Sequence, residues 1–197
     1  MRYALLGAAA VLLCAEARAE HVSMEPSTSW VLDYAENKCR MLRTFGTGDR
    51  QMLLLLEQHS PADTFTWTLA GDGLQGMFLE RGFHFQFGPA LKPVRVDSQD
   101  SKVRRFGHNR PYTAMLGELE GVGHALVHTG YKLAADPGNE EEAAEPVGLP
   151  HLDVAEGGQI EWLRLDRGAG RSLTLNTGNM RAPFDALNKC ASDLAAS

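Results

Sequence analysis

No apolar run in this chain is long enough to cross a bilayer as a helix: Tyr3 to Cys14 falls well short of the roughly 20 residues required. Basic charge is in deficit, with 19 Lys and Arg against 25 Asp and Glu and a net charge of −6, which argues against nucleic acid as the main partner and favours solubility. No Gly-x-Ser-x-Gly elbow occurs, so the usual marker of a serine hydrolase is missing. Cysteine is scarce as well. There are three, and Cys14 lies in the amino-terminal apolar run, leaving Cys39 and Cys190.

What is present at the start has a definite reading. Arg2, the apolar run, and Ala17 and Ala19 in Ala-x-Ala spacing form a secretory signal peptide over residues 1–19. Cleavage is expected after Ala19, giving a periplasmic chain that begins at Glu20 and has no transmembrane segment. A lipoprotein cut before Cys14 is the rival, but Leu13 stands where a small residue is needed. Loss of Arg2, Glu16 and Arg18 leaves the mature chain more negative still. Its length, about 180 residues, suffices for one domain with its own core.

In an oxidising compartment two cysteines read by default as one disulfide, with two buried thiols as the alternative. Closing a loop of about 150 residues would stabilise the fold by at most roughly 5 kcal/mol in the chain-entropy picture. Cys39 shares a strand face with Met41 and Phe45. Cys190 borders an apolar stripe of Phe184, Leu187, Ala191 and Leu194 at helical spacing, behind Pro183 in the first turn. Packing that helix on the first strands brings the two sulfurs together.

Between these ends the period is two. Trp30, Leu32 and Tyr34 and then Cys39, Met41 and Phe45 form a hairpin; Met52 to Leu56 is an apolar run suited to a strand buried on both faces. Phe65, Trp67 and Leu69 alternate with threonines up to the Gly71-Asp72-Gly73 turn. Phe83, Phe85 and Phe87 alternate with His84 and Gln86, and Val94 and Val96 follow. Tyr112 to Leu116, Val122 to Leu133, Ile160 to Leu165 and Ser172 to Asn176 complete the strands, the last two as a hairpin around Gly168 and Gly170. Residues 134–158, acidic and rich in Pro and Gly, read as a long surface loop. The fold class is mainly β (α+β): an antiparallel β-sandwich or curved sheet with one carboxyl-terminal helix, as a single domain over residues 20–197.

Candidate chemistry is sparse. His124 and His128 have helical metal-site spacing, but neighbouring glycines disfavour a helix, and on a strand they stand about 13 Å apart. No third ligand is marked. Asp63, Asp72 and Glu80 fall near turns, where carboxylates serve local needs. The aromatic set Phe65, Trp67, Phe78, Phe83, Phe85 and Phe87 suits a core better than a ligand groove. Arg104, Arg105 and Arg110 concentrate basic charge and form a candidate interaction surface. No catalytic residue, metal ligand or cofactor site is assigned.

Trp30-x-x-x-Tyr34, Cys39-Arg40-x-x-Arg43-x-Phe45-Gly46, and then Thr177-Gly178, Met180, Ala182-Pro183, Ala186-Leu187 and Cys190 carry a family signal. The chain resembles the region that precedes the carboxyl-terminal TonB domain in some Gram-negative TonB-family proteins. It is similar, more loosely, to the invasion-associated locus B family. The resemblance implies a non-catalytic periplasmic envelope module, linked to TonB-dependent processes, that binds another envelope protein or a cell-wall component. A periplasmic hydrolase and a small-ligand binder are the alternatives. The chain stops at Ser197 just after the helix, so it is not expected to transduce energy by itself.

Overall fold

The computed structural model describes residues 20–60, 64–75, 77, 81–100, 113–119, 121–134, 151–168 and 170–196. The hairpin read from Trp30 onwards consists of β2 (Val31–Ala35) and β3 (Lys38–Phe45), antiparallel, with Glu36 and Asn37 as its two-residue loop. Next come β4 (Met52–His59) and β5 (Thr64–Ala70), each antiparallel to its predecessor. Inward positions repeat at every second residue. Cys39, Met41, Phe45, Met52, Leu54, Leu56, Phe65, Trp67 and Leu69 are all buried. The Met52 to Leu56 run is therefore not buried equally on both faces, because Leu53 and Leu55 point to the outer side of the sheet and stay partly exposed.

β6 (Phe83–Pro89) and β7 (Val94–Asp100) pair antiparallel through Phe83–Phe85 and Val94–Val96. The second half of β7 runs parallel to β8 (Thr113–Leu119), which pairs with β9 (Gly123–Ala134). β7 is thus the strand that passes from one layer to the other. β9 returns to β5. On the far side β6 pairs with β11 (Ile160–Gly168), β11 with β12 (Arg171–Leu175), and β12 in parallel with β1 (Glu20–Met24).

The hydrogen-bonded order β1-β12-β11-β6-β7-β8-β9-β5-β4-β3-β2 folds into two packed open sheets, of five and six strands, with one carboxyl-terminal helix, α2 (Arg181–Ala195). Phe85 and Phe87 from the smaller sheet meet Trp67 and Phe65 from the larger, with ring centroids 5.3 Å apart for Trp67 and Phe85. α2 packs on the larger sheet, chiefly against β3 and β4. Its Phe184 ring lies 5.4 Å from Phe65 and 6.5 Å from Phe87, where sheet, sheet and helix converge.

The disulfide is formed: Cys39 and Cys190 are bonded, with Cα atoms 6.0 Å apart and both residues buried. Pro183, Phe184, Leu187, Cys190 and Ala191 make the buried face of α2, and Asn179 Oδ1, just before the helix, accepts the Arg181 N–H at 2.9 Å.

One boundary needs correction. Within the acidic segment 134–158, residues 135–150 lie outside the described residues, but its end is not loop. His151–Asp153 forms β10, parallel to the end of β9, and Val154–Gly157 forms a single helical turn, α1. Leu152 is the reason, being an apolar side chain buried completely in the core. Gly157 lets Phe184 approach, since a methyl group there would come within 2.8 Å of its ring.

Candidate functional site

The buried phenylalanines of β6 dictate what lies on the opposite side. With Phe83, Phe85 and Phe87 inward, His84 and Gln86 must face outward; with Leu163 and Leu165 inward, so must Trp162, Arg164 and Asp166. Register then aligns these residues into rows across the strands. Arg95, His84, Asp166, Ser172 and His21 form one continuous row over all five strands of the smaller sheet. Gln86, Arg164, Thr174 and Ser23 form the next, and Gly88 pairs with Trp162 in a third. Neighbours within a row stand about 4.8 Å apart.

Over the β7, β6 and β11 members of the first two rows lies a cleft of about 700 Å³. Arg81, Arg95, Arg164 and Arg167 line it with His84 and Gln86, and Asp166 is the one carboxylate among the described lining residues. That carboxylate is already engaged: its Oδ1 accepts the Gly168 N–H at 2.7 Å, and its Oδ2 lies 3.5 Å from Arg164. Arg95 meets Asp97 only at 3.8 Å, both side chains being largely exposed. Among the described residues, guanidinium groups therefore outnumber carboxylates in the cleft lining. Such donors suit a carboxylate or phosphate, which they bind in planar, bidentate fashion.

Beside the cleft, Ser172 is buried and its Oγ lies 2.7 Å from His21 Nδ1 and 3.3 Å from Arg164. A serine beside a histidine invites a catalytic reading, but here Arg164 donates into the same oxygen and so opposes its use as a nucleophile. The contact instead fastens edge strand β1 to β12.

Cys39 and Cys190 are joined, whereas Arg104, Arg105 and Arg110 lie outside the described residues, as do Asp63, Phe78 and Glu80. His128 is buried against Phe85 and Trp67, with ring centroids at 5.0 and 5.5 Å, while His124 is exposed. Phe65, Trp67, Phe83, Phe85 and Phe87 are core. Sequence reasoning missed Arg95, Trp162, Arg164 and Asp166 as a group. The one available signal was the alternation of His84 and Gln86 on β6 and of Arg164 and Asp166 on β11 with buried apolar residues, which gives direction but not neighbours.

The motif residues from the two chain ends do come together. Arg43 donates from Nε to the Thr28 carbonyl at 2.8 Å and from a terminal nitrogen to the Thr177 carbonyl at 2.9 Å. Its guanidinium also lies 5.7 Å from the Trp30 ring centre and 5.9 Å from that of Phe45. Burial lowers its pKa below the ordinary arginine value. It remains charged, as arginine does in proteins.

Fold and cleft together define a disulfide-tied β-sandwich with a cationic surface cleft. Comparison of the chain with family models, curated proteins and solved structures finds no match.

Proposed function

We propose that this protein is a non-catalytic periplasmic module that holds an anionic component of the cell wall in the arginine-lined cleft. One observation carries the reading: among the described residues, four arginines and a single, already bonded carboxylate line the cleft, in a chain whose net charge is −6. Positive charge gathered in one concavity of an acidic protein is a local device for anions, and cleft walls of low dielectric strengthen it. The buried disulfide fits an oxidising compartment, and among the described residues no helix is long and apolar enough to cross a membrane. The signal peptide and the motif resemblance to the region preceding TonB domains support the envelope as its location.

Cosedimentation with purified peptidoglycan sacculi tests the proposal. Wild-type protein should pellet with sacculi at low salt, and an Arg95→Glu, Arg164→Gln double variant should remain largely in the supernatant. Equal pelleting of the two folded proteins would reject the cleft as the binding surface.

A second reading, docking of another envelope protein, is favoured by edge strand β2, where Val31 and Tyr34 are 49% and 63% exposed beside an open sheet edge.

A further inference from the structure

We infer that the ligand of this cleft is an acidic saccharide, with a sugar ring resting on Trp162 and its carboxylate held by Arg164. The inference rests on the anion-binding reading above and adds a ligand class to it. Trp162 faces outward on β11, two residues before Arg164, and is only partly buried. Across the strand its partner is Gly88. The indole lies directly over this glycine: a methyl group there would come within 2.1 Å of its ring atoms. Gly88 thus leaves room for a large ring to lie against the sheet, beside the cleft floor formed by Gln86 and Arg164.

Spacing fits a sugar. Residues i and i+2 on one strand face stand about 6.6 Å apart, close to the span of one pyranose with its substituent. A ring stacked on the indole therefore brings an attached carboxylate to the Arg164 guanidinium. Tryptophan supplies a rigid apolar plate with a polar edge, which suits the apolar face of a pyranose. Arg164 has capacity to accept the anion. Its own contacts, to Asp166 and Ser172, are both made by one terminal nitrogen and are long at 3.5 and 3.3 Å, and the side chain is 39% exposed. Gln86 is less free, since its Nε2 donates to the Leu91 carbonyl at 2.7 Å, which fixes it as part of the floor. A simple anion would need the arginines but not the plate; a neutral sugar would need the plate but not the arginines.

The test uses the full mature protein and three probes: oligogalacturonate as acidic saccharide, a chitooligosaccharide as neutral saccharide, and poly-glutamate as polyanion without sugar. Tryptophan fluorescence and calorimetry report binding. Oligogalacturonate should bind best and change the fluorescence. Trp162→Ala and Arg164→Gln should each weaken it by about tenfold. Trp162→Phe keeps a plate over Gly88; it should retain binding yet abolish the fluorescence change, which guards against an alanine variant that fails to fold. Equal binding of poly-glutamate, with Trp162→Ala silent, would sink the saccharide inference and leave the anion reading standing. Equal binding of the neutral sugar, with Arg164→Gln silent, would overturn both. So would binding of none of the three.

Discussion

Arg43 shows how one side chain can join segments that are distant in sequence. Its two hydrogen bonds reach the carbonyls of Thr28, 15 residues before it, and Thr177, 134 residues after it, and its guanidinium lies near the Trp30 and Phe45 rings. Hydrogen bonds to a charged group are stronger than neutral ones, and loss of this group leaves two carbonyls without their donor. Arg43→Ala should therefore destabilise the protein by about 2–4 kcal/mol. Urea denaturation measures this, and Arg43→Lys should recover only part of the loss, because a single ammonium lacks the fork that spans both carbonyls. A loss below about 0.5 kcal/mol, the level of an ordinary surface change, would mean the contacts are incidental.

At the level of elements, legibility followed the range of the interaction. The β2–β3 hairpin, the alternating faces of β5 and β6 and the buried stripe of α2 are all set by residues within a few positions of one another, and all were readable. The disulfide was readable too, since two cysteines on buried faces in an oxidising compartment have one partner each. β10 and α1 were not, because a single buried Leu152 in an acidic stretch carries no period. Nor was the cleft, whose rows depend on register between β7, β6, β11 and β12, and register is fixed by pairing over long sequence separations. The helix offers the direct test at this scale. Cys190→Ser removes the covalent tie between α2 and β3 while leaving Phe184 and Leu187 in place, so the helix should stay docked in a less stable protein. The expected loss is about 2–5 kcal/mol, visible as a lower Tm. An unchanged Tm would show that apolar packing alone sets the stability of this joint.

For the whole molecule, the forces that hold the fold and those that would hold the proposed ligand are of different kinds. The two sheets and α2 meet through aromatic and aliphatic side chains, with Trp67, Phe65, Phe85, Phe87 and Phe184 at the centre and the disulfide sealed among them. Charged pairs sit mostly on the outside, as Lys38 with Glu57 at 2.6 Å and Arg40 with Asp33 at 2.6 Å do on the outer side of the larger sheet. Arg40 and Asp33 are open enough to water and salt for their pair to be worth little, whereas Lys38 and Glu57 are more than two thirds buried. In the proposed reading, anion binding in the cleft depends on guanidinium charge, set in a chain of net −6 that otherwise repels anions. Raising ionic strength from about 0.05 to 0.5 M shortens the screening length to a few ångströms. The affinity for an anionic ligand should fall steeply over that range while the Tm moves by only a few degrees, and titration calorimetry with parallel thermal melts separates the two. If affinity held constant across the series, binding would be apolar, and the arginines would have to be read as solubilising charge. If the Tm fell together with affinity, the outer ion pairs would be contributing to the fold far more than their exposure allows.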